Sequence, residues 1–194
     1  MAKKFFIPLL LSLLIFSACS NSSGAKSGDK AGGGSSGTKV AKVADAPEGC
    51  PSSTKLTAKT SDLKEISFTP KNSWLNVWGS TPDQANLTFA TYEIPSGNPY
   101  ITYTYSENDA LVVVKLKDSV SNKVGLGSYV SNKDAKLRVV EANVSSKNLA
   151  GGVFDKNGTL EFAVFGPKYA CGTMKFDDGY SLLKGEFIAE IVNK

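Results

Sequence analysis

Between residues 63 and 192 the chain is cut into short apolar runs by turn residues, and no stretch of a dozen residues carries a capped helical period. That pattern excludes a helical core and indicates strands. Ile66 and Phe68 alternate with Glu65 and Ser67, and Pro70-Lys71-Asn72 stops the run. Trp74-Leu75-Asn76-Val77-Trp78 reads as a strand or one helical turn, with both tryptophans on one face. Gly79 to Asn86 reads as a loop. Leu87 to Ile94, the turn Pro95-Ser96-Gly97-Asn98-Pro99 and Tyr100 to Tyr105 read as a hairpin. Ala110 to Lys117, Val124 to Val130 and Leu137 to Val144 are further strands. Asn157-Gly158 looks like a hairpin turn between Leu149–Phe154 and Thr159–Phe165, because Asn-Gly readily takes positive φ. Tyr169 to Phe176 and Leu182 to Val192 flank the turn Asp177-Asp178-Gly179.

The expectation is an all-β domain, an antiparallel β-sandwich or barrel of about ten short strands. The outer faces are too polar and the runs too short for a lipid-embedded barrel, whose strands need about ten residues and an apolar band.

The first 46 residues are different in kind. Lys3 and Lys4 precede an almost wholly apolar run from Phe5 to Phe16. That run has the length of a signal-peptide apolar region and falls short of the roughly 20 residues of a membrane-spanning helix. Ser17, Ala18 and Cys19 follow. The arrangement resembles the lipobox of bacterial lipoproteins, with Phe16 where the family usually carries an aliphatic residue. The resemblance covers residues 1 to 19. It implies cleavage before Cys19, a diacylglycerol on the Cys19 sulfur and further acylation, including palmitate. Ser20, not Asp, follows the cysteine. In enterobacterial-type sorting that permits passage to the outer membrane.

Residues 20 to 46 consist largely of Ser, Gly, Lys and Ala and contain no aromatic residue. Such a segment cannot bury enough surface to offset its ordering entropy, so it reads as a disordered tether. Its r.m.s. span is roughly 30 Å and its full reach roughly 90 Å. The domain plan is a signal at 1–18, a lipidated Cys19 with a tether to 46, and one β domain at 47–194. Six of the 22 basic residues and two of the 18 acidic residues precede residue 47, so the domain holds 16 of each. A neutral domain with Arg138 as its single arginine lacks the electrostatic footprint of a nucleic-acid binder.

With Cys19 lipidated, Cys50 and Cys171 remain as an even pair in an exported, oxidising setting. They are expected to form a disulfide. In the chain-entropy model, closing a loop of about 120 residues stabilises by roughly 4–5 kcal/mol.

The chain contains no histidine, which removes Ser-His-Asp and Cys-His catalysis. Two distant cysteines without histidine do not make a zinc site, and no cofactor is expected. A hydrolase using paired carboxylates stays conceivable. However, Glu107, Asp109, Asp134, Asp155, Asp177 and Asp178 sit in turn segments, where solvated turn chemistry accounts for them. Gly125-Leu126-Gly127-Ser128 lacks the third glycine and the helix of a dinucleotide fingerprint, so a strand bend is the better account.

The aromatic residues Trp74, Trp78, Tyr92, Tyr100, Tyr103 and Tyr105 are the candidate ligand-binding set. Such rings stack on sugars or on apolar peptide surface. Packing in the core is the competing account of the same residues. The functional expectation is a membrane-anchored lipoprotein of the bacterial cell envelope, acting as a binding or structural module toward a protein or glycan. The alternatives are a surface adhesin-like or inhibitor lipoprotein, and a carboxylate-dependent hydrolase.

Overall fold

The computed structural model describes residues 45–59, 65–94, 106, 109–146, 152–153 and 157–193. Eleven strands occupy them: β1 (Lys55–Lys59), β2 (Ile66–Phe68), β3 (Asn72–Trp78), β4 (Thr81–Ala90), β5 (Ala110–Asp118), β6 (Gly127–Val130), β7 (Leu137–Ser146), β8 (Gly152–Val153), β9 (Gly158–Phe165), β10 (Tyr169–Asp177) and β11 (Leu182–Asn193). Eight of them follow one another as β10-β9-β6-β7-β5-β4-β3-β11, and the pairing of β10 with β11 closes the ring into a barrel. β1 and β2 form an antiparallel hairpin attached to the first half of β11, and β8 pairs with β7.

Closure follows from the alternation within the strands. In β5, Val112, Val114, Leu116 and Asp118 point inward and are buried, while Leu111, Val113, Lys115 and Lys117 point outward. Closing the sheet leaves no free edge around the ring, and an eight-stranded barrel is narrow enough for side chains to fill. Here Phe89, Phe187, Phe162 and Tyr129 form a chain of edge-to-face rings across the interior, with centroids 5.8, 5.6 and 5.7 Å apart in turn. Phe165 adds a fourth such contact, to Phe162 at 5.3 Å.

The all-β barrel agrees with the pattern of short alternating runs, and several details differ. The ring is not wholly antiparallel: β3 runs parallel to β11, and β6 runs parallel to β7. Tight turns fix the relative direction of strands they join. They do not fix it at the seam where early chain meets late chain, nor where β6 is inserted beside β7. The hairpin expected from Leu87 to Tyr105 does not form over Leu87–Ala90, because β3 and β5 take both edges of β4 there. Residues 95–105 lie outside the described residues. The hairpin expected across Asn157-Gly158 is also absent among the described residues: β9 pairs with β6 and β10, and β8 pairs with β7. Gly158 does not have positive φ. Gly158 is needed for another reason, since a Cβ there would sit 2.0 Å from the Phe176 ring.

The loop expected at Gly79 to Asn86 is largely strand. β4 starts at Thr81, and a bulge between Val77 and Trp78 absorbs the slip in register. Pro82 is tolerated at this irregular start, and its carbonyl accepts the N–H of Val124 at 2.9 Å. β1 lies in a segment rich in Ser, Thr and Lys, and its Leu56 and Ala58 alternate into the core.

The barrel has two ends. At one end lie the last residues of β3, β5, β9 and β11 and the first residues of β4 and β10. The chain also enters at this end. Cys50 is bonded to Cys171, the third residue of β10, with S–S 2.02 Å and Cα–Cα 5.6 Å. A Cβ on Gly49 would lie 3.6 Å from Val164 on β9. The buried Thr54 hydroxyl then bonds both the carbonyl and the N–H of Ile188 on β11, at 2.9 and 3.0 Å. We call this the entry end. The β10–β11 turn and the residues after Ala90 mark the far end.

Candidate functional site

Two rows of outward-facing residues cross the barrel wall over β3, β4, β5 and β7. In one, Trp74 stands opposite Thr88, Thr88 opposite Val113 and Val113 opposite Asn143. In the other, the order is Asn76, Asn86, Lys115 and Glu141. Cross-strand neighbours on one face lie within side-chain reach, so each row is a continuous surface.

This wall departs from an ordinary solvated exterior. Thr88 is 0% exposed, and Asn76 and Asn86 are also buried. Just past β4, Tyr92 and Ile94 fold onto the same outer side, where they cluster with Ala90, Trp74 and Leu111. The side-chain amide of Asn72 donates to the Tyr92 carbonyl at 2.7 Å and fixes this return. The result is a small apolar cluster outside the barrel, separate from the core within it. The Thr88 hydroxyl is buried without a hydrogen-bond partner among the described residues.

Beside the cluster lies a polar group. The Lys115 ammonium donates to one oxygen of Glu141, and the Asn143 side-chain amide donates to the other. These contacts, Lys115 first and Asn143 second, hold the Glu141 carboxyl below its usual range against the opposing effect of burial. The group is half-open to solvent and keeps one charge of each sign on the wall.

Cys19, Tyr100, Tyr103 and Tyr105 lie outside the described residues. Cys50 and Cys171 form the expected disulfide. Trp74 and Tyr92 come together in the outer cluster, with Trp74 half-buried and Tyr92 only 7% exposed. Trp78 is half-buried near the entry end, and the bulge before it interrupts the alternation that would have kept it in line with Trp74. Nothing in the sequence marks Lys115, Glu141 and Asn143 as a group. Lys115 and Glu141 are 26 residues apart and meet only because β5 pairs with β7, passing over β6.

The turn carboxylates hold their own backbones. Asp109 accepts from the Ser106 N–H at 2.8 Å. Asp177 accepts from Gly179 at 3.0 Å, and Asp178 accepts from Tyr180 and Ser181 at 3.0 and 2.7 Å. Glu107 and Asp155 lie outside the described residues, and Asp134 is exposed. At Asp118, burial pushes the carboxyl up, but the Ser121 hydroxyl and the N–H groups of Ser121 and Val120 outweigh it and hold the group low. Glu141 and Asp118 are thus both held ionised, which suits ion pairing and loop capping rather than proton donation.

No protein-family model, no curated protein and no solved structure matches the chain.

Proposed function

We propose that the protein is a lipid-anchored component of the bacterial cell envelope, whose disulfide-closed barrel acts as a binding or structural module. The observation that carries the reading is the Cys50–Cys171 disulfide. It suits an oxidising compartment, and it leaves Cys19 as the one remaining cysteine, directly after the apolar run and Ser17-Ala18. Lipid at Cys19 holds the protein to a membrane, on this reading the outer membrane, and residues 20–46 give it reach. Two or more acyl chains make that attachment stable, because each buried methylene contributes about 0.8 kcal/mol.

The face offered to a partner is the outer wall of β3, β4, β5 and β7. Trp74 supplies a half-exposed ring, and Lys115, Glu141 and Asn143 supply fixed hydrogen-bonding groups beside it. A ring next to polar groups already held in place suits a glycan or a polar protein surface.

The anchor is tested by growing cells on labelled palmitate. Wild-type protein is expected to carry label and to sediment with membranes, and Cys19→Ser is expected to do neither. Equal labelling of both proteins overturns the reading. The binding face is tested by crosslinking from intact envelopes, with Trp74→Ala compared against wild type. A partner captured equally well by both proteins removes Trp74 from the interface.

A further inference from the structure

We infer that the loop of residues 119–126 is a second contact with the anchoring membrane, seating Val120 and Leu126 among the head groups of an anionic phospholipid surface; the proposal rests on the lipid-anchor reading above. Val120 is 59% exposed and Leu126 62% exposed, although they belong to one short, ordered loop. Exposed apolar side chains on mobile loops are common, but this loop is held throughout. Asp118 accepts from the N–H groups of Val120 and Ser121 at 2.8 and 3.0 Å and also from the Ser121 hydroxyl. The Ser121 hydroxyl also meets the Lys123 carbonyl at 2.8 Å. Val124 is buried in the core, and its N–H is bonded to the Pro82 carbonyl. The buried Tyr129 hydroxyl accepts from the Gly125 N–H at 3.0 Å and donates to the Gly125 carbonyl at 3.2 Å. One apolar residue of the loop thus faces the core, and two are fixed facing out.

Position and charge select the partner. The loop follows β5 at the entry end, where the chain arrives from Cys19 and the tether. It is joined to the neighbouring 131–136 segment by the Ser119 N–H and Lys136 carbonyl at 2.9 Å. Lys123 on the loop and Lys136 beside it are exposed, and the exposed carboxylates near them are Asp134, two residues before Lys136, and Glu161, cross-strand from Ser128. Asp118 faces inward as the loop cap, and Asp83 lies 3.7 Å from Lys117. Asp45 and Glu190 lie near Lys168 at the same end, and exposed Glu48 precedes Cys50 there. Apolar side chains bordered by lysines are the pattern of a shallow interfacial contact. Two side chains suffice for that, whereas a stable protein interface needs about 1,000 Å² or more.

The test uses the full chain, purified with whatever acylation it carries and mixed with phosphatidylglycerol–phosphatidylethanolamine vesicles containing brominated acyl chains. A fluorophore is placed on Leu126→Cys and, as the control, on Tyr180→Cys, a 75% exposed position at the far end. Groups seated roughly 5–10 Å into the head-group boundary come within reach of the bromines, so quenching at 126 is expected to exceed that at 180 by about threefold or more. Quenching at 126 no greater than at 180 overturns the proposal. So does a change at 126 that appears without lipid as protein concentration rises, which marks a contact between copies. The mass of the N-terminal peptide reads the anchor separately. Acylated protein without selective quenching sinks the docking loop and keeps the anchor. Unacylated protein with selective quenching sinks the anchor and keeps lipid docking by the loop. Unacylated protein without it sinks both.

Discussion

Phe162 is the residue on which the interior turns, touching Tyr129, Phe165 and Phe187 edge to face. Phe162→Ala should destabilise by about 3–5 kcal/mol, since the closed ring of strands cannot collapse into the space. Urea unfolding checks this, and a midpoint within experimental error of wild type would contradict it. Thr88 offers the opposite case. Its buried hydroxyl lacks a partner among the described residues, and an unsatisfied group of that kind costs about 1–3 kcal/mol. Thr88→Val keeps the shape and removes the hydroxyl, so it should leave the melting temperature unchanged or raise it; a clear fall would reveal a bond to that oxygen. Glu141 predicts the acid limb of stability. Its carboxyl titrates lower in the folded chain than in the unfolded one. Its contribution is therefore complete above the ordinary carboxylate range, about pH 4, and fades as pH falls through the lower folded value. Glu141→Gln should flatten urea stability against pH in that window only, and modestly, because solvent screens the pair. The inward set at this scale could be read from alternation, as with Val112, Val114 and Leu116. Burial of Thr88 could not, because an outward Thr on a strand normally meets water.

Among the elements, β11 does the most joining. One edge pairs with β10, and the other pairs first with β1 and then with β3. β1 and its lead-in are held by five residue pairs with β11, three with β2, the Thr54 hydroxyl and the disulfide. Reducing the disulfide, or replacing it with Cys50→Ser plus Cys171→Ser, should lower stability by about 2–5 kcal/mol. Calorimetry with and without reductant reads the loss, and identical melting of the oxidised and reduced proteins would remove the bond's structural role. The extents of β5, β7, β9, β10 and β11 were legible because alternating runs ended at turn residues. The partners of β4 and β9 were not, since local turn chemistry says nothing about which edges a distant strand will occupy.

For the whole molecule, one end of the barrel receives the chain through the Cys50–Cys171 bond and carries the Val120–Leu126 loop, while the Trp74 wall lies along the side. A protein held by that end would leave Trp74 and the Lys115, Glu141 and Asn143 group accessible to a partner, and the palmitate and quenching experiments test the arrangement in two independent ways. The sequence by itself determined the fold class, the disulfide pair and the distinction between the first 46 residues and the rest. These depend on period-2 alternation, cysteine count and composition, which are local or additive properties of the chain. Only the tertiary structure decided between sandwich and barrel, set two of the strand pairings parallel, and brought Lys115 to Glu141 and Trp74 to Tyr92. Those outcomes depend on which strands share an edge, and edge sharing is settled by closing one ring around one core.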